Sequence, residues 1–222
     1  MPSIHTVQIQ FPEITLTTRD AHKIRGYFGR LFETHSPLLH NHLEGGGHRY
    51  AYPLVQYKVL NQVPTLIGLE EGARLLTELF LKIKELSIEG KCFQLTSKHI
   101  KSGHTVTGIA DELFRYQFQT LWMALNQQNY QRYRQEDEIG QKQILQRIAI
   151  GNILSFLKGL NIFIAEQERI MIKLELEPKK TRFKDQEMLG FTGHFTTNAI
   201  LPDYIGLGKA VSRGFGTIKL IN

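Results

Sequence analysis

Hydrophobic and polar positions alternate through residues 4–11, IHTVQIQF, with Val7, Ile9 and Phe11 on one side and Thr6, Gln8 and Gln10 on the other. Such a period of two marks a half-buried strand. Residues 19–33 change to helical spacing through Ala21, Ile24, Phe28, Leu31 and Phe32, with Thr18 placed to cap the helix. A polar stretch without regular period then runs to His48 and contains three consecutive glycines. Residues 49–59, RYAYPLVQYKV, and residues 63–69 read as two strands joined near Asn61, with Pro53 marking an edge or a bulge. A helix is predicted from Glu70 to about Ile83 on Leu75, Leu76, Leu79 and Phe80, followed by a strand over 86–97. This order, β-α-β-β-α-β, is that of a ferredoxin-like domain, which packs both helices on one face of its sheet and leaves the other open.

The second half starts near residue 104. Thr105–Ile109 is a short strand candidate, and Phe114–Tyr133 is polar and aromatic, with Leu121, Trp122 and Leu125 as anchors. Ile139, Ile144, Leu145, Ile148, Ile153, Leu154 and Leu157 recur at helical spacing over 138–159, where Lys158 and Gly159 supply a stop. RIMIKLELE at 169–177 alternates cleanly, residues 188–197 form another strand, and the last strand covers 215–221. The chain is therefore expected to be α+β, with domains at 1–103 and 104–222.

The 222 residues suffice for two small domains. A net charge of +6 fits a nucleic-acid partner, as it would fit other anionic partners. The one cysteine, Cys92, excludes an internal disulfide, and its apolar neighbours suggest a buried structural thiol. The N-terminus has no basic start leading into an apolar stretch, and no run of 18 apolar residues occurs, so a cytoplasmic protein without a membrane span is expected.

Three places can carry chemistry. His35, His40, His42 and His48 crowd fourteen residues. They read as incidental loop histidines, as a zinc site poor in nearby carboxylates and thiols, or as general acid–base groups on a glycine-hinged loop. Lys158 is a cation beside a helix C-terminus or a cation for a scissile phosphate. The hairpin PKKTRFK, with Lys179, Lys180, Arg182 and Lys184, and the run YQRYR at 130–134 suit a nucleic-acid backbone or solvated faces alike. Residues 206–216, GLGKAVSRGFG, hold Gly206, Gly208, Gly214 and Gly216 with Lys209, Ser212 and Arg213 between them. Glycine at this density costs backbone entropy, so the segment is a tight turn between strands, a close approach to another strand or a close approach to an anionic ligand, and a turn can bind phosphate as well. It is neither GxxxxGK[ST] nor GxGxxG after a first strand, and no nucleotide cofactor is expected.

The run FTGHFTTNAILPDYIGLGKAVSRGFGTIKL resembles the glycine-rich signature of the Cas6 proteins, CRISPR-associated endoribonucleases. RIAIGNILSFLKGLNI and SPLLHNHLEGGGHRYAYPLVQYKV look like the Cas6b subtype, so the resemblance spans most of the chain in three blocks. It implies two ferredoxin-like, RRM-related domains in tandem. It implies a protein that binds the CRISPR repeat RNA and cuts it without metal or cofactor, with the ribose 2′-OH as nucleophile and a 5′-hydroxyl and a 2′,3′-cyclic phosphate or related end as products. The acid–base role falls on His40, with His42 as second choice, and Lys158 supports the scissile phosphate. The segment Gly206–Gly216 and the basic hairpin hold the RNA. A catalytically inactive repeat-binding protein of the same fold is the alternative. A CRISPR effector complex and a homodimer that covers the open sheet faces are further candidate assemblies.

Overall fold

A computed structural model describes residues 1–31, 52–183 and 186–221. It divides into an N-terminal unit, Ser3–Thr105 with Ser212–Gly214, and a C-terminal unit, Met1–Pro2, Val106–Val211 and Phe215–Asn222.

The N-terminal unit contains β1 (Ser3–Gln10), α1 (Ala21–Leu31), β2 (Val55–Leu60), β3 (Val63–Leu69), α2 (Glu71–Leu79), β4 (Glu85–Ile88), β5 (Lys91–Gln94) and β6 (His99–Val106). Its main sheet has the order β2-β3-β1-β6. β2 and β3 join through Asn61 and Gln62, both at positive φ, and Tyr57 of β2 faces Leu66 of β3. Val7, Ile9, Phe11, Ile24, Phe28, Tyr57 and Leu76 share one buried core with both helices. A 3-10 turn, Thr18–Asp20, leads into α1 and is capped at Thr17, one residue before the expected cap: the Thr17 hydroxyl donates to Asp20 Oδ2 at 2.7 Å, and the Thr17 N–H to the same oxygen at 2.9 Å.

Residues 86–97 differ from expectation. Glu89 and Gly90 both adopt positive φ, 51° and 78°, the requirement of a two-residue hairpin turn. The segment folds back as the separate β4–β5 hairpin, and β6 becomes the fourth strand of the sheet. Cys92, expected to be buried, is exposed on β5. Its thiol donates to Glu85 Oε2 at 3.4 Å, and that contact holds it in the protonated form. Lys98 continues from the hairpin and donates to the Phe80 and Ile83 carbonyls at 2.6 Å each, so a cation closes the end of α2.

The C-terminal unit runs β7 (Gly108–Trp122), α3 (Gln127–Gln135), α4 (Glu138–Gly159), β8 (Ile172–Phe183), β9 (Gln186–Ile200) and β10 (Ile218–Ile221), with sheet order β10-β7-β9-β8. In chain order this repeats the ferredoxin-like arrangement of the first sheet, but the crossover before the last strand is the glycine-rich segment in place of a helix. The structure is α+β with two such domains. Tyr116, Phe118, Trp122, Phe191 and Phe195 form one aromatic layer of stacked and tilted pairs, with centroids 5.1–5.9 Å apart. Each buried ring contributes about 1.5–3 kcal/mol. Ile144, Leu145, Ala149, Ile153, Phe156 and Leu157 form the buried stripe of α4, while Ile139 and Leu154 are exposed. Among the described residues, no helix is long and apolar enough to cross a membrane.

On β2 the alternation is double-sided. Val55, Tyr57 and Val59 enter the core, and the intervening Gln56 and Lys58 are buried on the other face together with Thr65. Gln56 Nε2 donates to the Tyr52 hydroxyl at 2.9 Å. Burial draws the Lys58 amine down to about 7 from an ordinary 10.5. Between those two values the unfolded chain binds more protons than the folded one, so Lys58 makes stability rise with pH across that window. We predict that the melting temperature of Lys58→Met exceeds that of the native chain at pH 7 and that the gap narrows toward pH 9.5. Parallel melting curves across that range would contradict the buried-amine account.

Candidate nucleic-acid interface

The segment Gly206–Gly216 is shaped by contacts with β7. Gly206 bridges Thr217, the Leu207 N–H donates to the Gly216 carbonyl at 2.9 Å, and the Gly216 N–H donates to the Leu121 carbonyl at 2.9 Å. The Lys209 N–H donates to the Met123 carbonyl at 3.0 Å. Two glycines are needed for this path. Gly216 has φ +61°, and a Cβ there would stand 1.9 Å from the Leu207 carbonyl oxygen. Gly208 has φ +92°, and its Cβ would stand 2.7 Å from Trp122 Nε1. The indole is fixed in turn, because its N–H donates to Asn152 Oδ1 of α4 at 3.0 Å. The backbone at Gly208 therefore closely approaches an anchored tryptophan, and Lys209 on the loop is an exposed cation. Partial desolvation lowers its amine below the ordinary lysine value. Ser212 and Arg213 are half-buried.

The basic hairpin forms the end of a two-stranded ribbon. Lys179 pairs with Gly190, Lys180 with Leu189 and Arg182 with Glu187, and all three basic side chains are exposed. Lys184, together with His40 and His42, lies outside the described residues. Lys158 is exposed in the last turn of α4, where its carbonyl accepts the Asn161 N–H at 3.1 Å. It follows Asn152 by six residues, about 120° away around the helix, so it does not share the face that holds the tryptophan. On the sheet surface Glu175 bonds Lys173 at 3.0 Å and Arg115 at 2.7 Å, and these ties lower its carboxyl pKa. The ribbon thus presents Lys179, Lys180 and Arg182 as exposed cations and the glycine-rich loop presents Lys209. Among the described residues, no three His, Cys, Asp or Glu side chains gather as a metal site requires.

Trp122 and Asn152 are not marked as positioning residues by their sequence context. The signal for Trp122 is the alternation Tyr116, Phe118, Trp122 within β7, which sets it on the inner face; nothing local marks Asn152 as its partner.

The Cas6b N-terminal domain family matches residues 2–106, and the Cas6b C-terminal domain family matches residues 108–221. The chain belongs to the Cas6b family. A Cas6b crystal structure is 36% identical over 99% of this chain and 100% of its own, with a TM-score of 0.93. The crystal structure of a CRISPR RNA processing endoribonuclease Cas6b is 33% identical over the same shares, with a TM-score of 0.80. The uncharacterized protein MJ0978 of Methanocaldococcus jannaschii is 36% identical over 141 residues, 64% of this chain and 95% of that protein. A Cas6 product complex at 13% identity, with a TM-score of 0.60, shares the fold.

For this Cas6b-family chain the glycine-rich signature thus has a steric cause at two of its positions. Gly216→Ala is expected to destabilise the protein by more than about 2 kcal/mol, from a left-handed φ and a backbone clash together. Gly103→Ala, on β6 with no atom within 4 Å of the new Cβ, serves as control and should change stability by less than about 0.5 kcal/mol. Equal urea midpoints for the two variants would refute the close-approach account.

Proposed function

We propose that this chain is an endoribonuclease that binds the repeat of precursor CRISPR RNA and cuts it once. The observation that carries this reading is the whole-length likeness to the Cas6b endoribonuclease structure. The exposed Lys179, Lys180, Arg182 and Lys209 supply cations for the RNA backbone without reading sequence. Arg213 and Ser212 add contacts from the glycine-rich loop, whose backbone is held by Gly208 and Gly216.

In the proposed reaction the ribose 2′-OH loses its proton as its oxygen attacks the adjacent phosphorus. The P–O5′ bond breaks, the departing O5′ takes a proton, and a 2′,3′-cyclic phosphate and a 5′-hydroxyl result. RNA brings its own nucleophile, so the protein must move protons and stabilise charge. His40 is the first choice for proton transfer and His42 the second, on the resemblance of the HNH segment. Lys158, an exposed cation on a rigid helix end, is assigned to the charge that develops on the phosphate. The reaction is proposed to need no metal.

The test uses the repeat RNA of the chain's own CRISPR array in EDTA. Native protein should cut promptly, while His40→Ala should lose about 100-fold or more in rate and keep most of its RNA affinity. Full activity of His40→Ala with loss in His42→Ala would move the role to His42. RNA that is bound and never cut would leave a repeat-binding protein of the same fold, and a strict metal requirement would overturn the mechanism.

A further inference from the structure

Helix α3 has no part in the roles assigned so far, although its residues 130–134, YQRYR, combine aromatic rings and cations. None of its nine residues is buried. Its start is capped by Asn126, whose Oδ1 accepts the Asn129 N–H at 2.6 Å, and Tyr133 meets the Phe191 ring edge-on at 5.9 Å. A helix this short that buries so little adds little to stability by itself. Tyr133 fixes where it lies. Phe191 pairs across the ribbon with Pro178, directly before the exposed Lys179, and its ring tilts against Trp122 at 5.9 Å. The helix therefore stands at the base of the basic ribbon, on the aromatic layer that also meets the glycine-rich loop. Residues three and four apart share a helix face, so Tyr130 and Arg134 adjoin Tyr133. Tyr130 is 40% exposed, and Arg134 holds its guanidinium over that ring, 5.9 Å from the centroid. The acidic residues that follow are engaged elsewhere: Glu136 faces Arg132 at 3.9 Å, and Asp137 caps α4 by accepting the Gly140 N–H at 2.8 Å.

We propose that Tyr130 and Arg134 form a station for one unpaired nucleotide of the bound RNA, with its base on the tyrosine ring and its phosphate on the guanidinium. A cation–π contact at an exposed site is weak, so a base can take the place of the guanidinium over the ring. The guanidinium, planar and forked, then donates to two oxygens of the phosphate. Every base has a π-face, so the station grips a strand without reading its sequence. The ribbon cations hold neighbouring phosphates, which a duplex offers as readily as a single strand. The station adds what those cations lack, because only an unpaired base can leave its neighbours and lie on a side chain.

This assignment rests on the RNA-binding part of the proposed function, so the experiment uses the full chain with two RNAs, the repeat RNA and a single-stranded oligouridylate of equal length. With 5-iodouridine substituted at successive positions of the repeat, irradiation should crosslink one position to Tyr130, located by mass spectrometry. Tyr130→Leu should weaken binding of both RNAs about 5- to 100-fold and leave the salt slope unchanged, since a stacked base releases no counterion. Tyr130→Phe should bind as the native protein does. Arg134→Gln should reduce the salt slope by about 0.7, the share of one phosphate on a single strand. An abasic nucleotide at the crosslinked position should weaken binding by native protein and cost Tyr130→Leu nothing further, which separates stacking from any effect of the substitution on the helix. Native affinity of Tyr130→Leu for both RNAs, or no crosslink to Tyr130, would overturn the station. If native protein binds oligouridylate and not the repeat, the functional proposal falls and the oligouridylate affinities decide the station. If it binds neither, both fall.

Discussion

The close approach of the glycine-rich backbone to Trp122 governs the C-terminal unit. Where a ferredoxin-like domain ordinarily places its second helix, this chain runs a loop whose N–H groups are held by the Leu121 and Met123 carbonyls. A helix there would bury side chains against the sheet; the loop instead lays bare backbone on an indole that Asn152 fixes from α4. Glycines are the means by which the loop reaches that distance. Lys209 is exposed as a consequence, and the aromatic layer beneath supplies the rigidity that a loop lacks by itself.

The two sheets share an order of strands and differ in how they treat polar groups. The N-terminal sheet buries Gln56, Lys58 and Thr65, and the cost shows in the lowered Lys58 pKa. The C-terminal sheet keeps Glu175 tied to Arg115 and Lys173 at its surface, where solvent screens both pairs. Such exposed pairs contribute little to stability and leave the stronger positive features to the ribbon and the loop. That division suits the proposed polyanionic ligand and a fold held by apolar cores.

Most of the architecture was legible in the residues. The alternation of Val7, Ile9 and Phe11 located β1, and the helical repeat ending at Leu157 located α4 almost to the residue. The reading of 86–97 as one strand missed Glu89, a non-glycine residue at positive φ that turns the chain before Gly90. β7 was only partly visible, because two register shifts interrupt its pairing with β9 and break the simple alternation. Ile139 and Leu154 satisfied the helical period and are exposed, since periodicity reports a stripe and not its width. The density of glycine in 206–216 was plain, while its cause, an indole nearly ninety residues earlier in the chain, is a tertiary fact.

The chemistry assigned to the chain depends on the substrate carrying its own nucleophile. The most direct measurement compares the repeat RNA with an otherwise identical RNA that has a single 2′-deoxyribose at the cut position. The account predicts that both bind with similar affinity, that the native RNA is cut to a 2′,3′-cyclic phosphate and a 5′-hydroxyl, and that the deoxy RNA stays intact. Cleavage of the deoxy RNA at the same bond would contradict it.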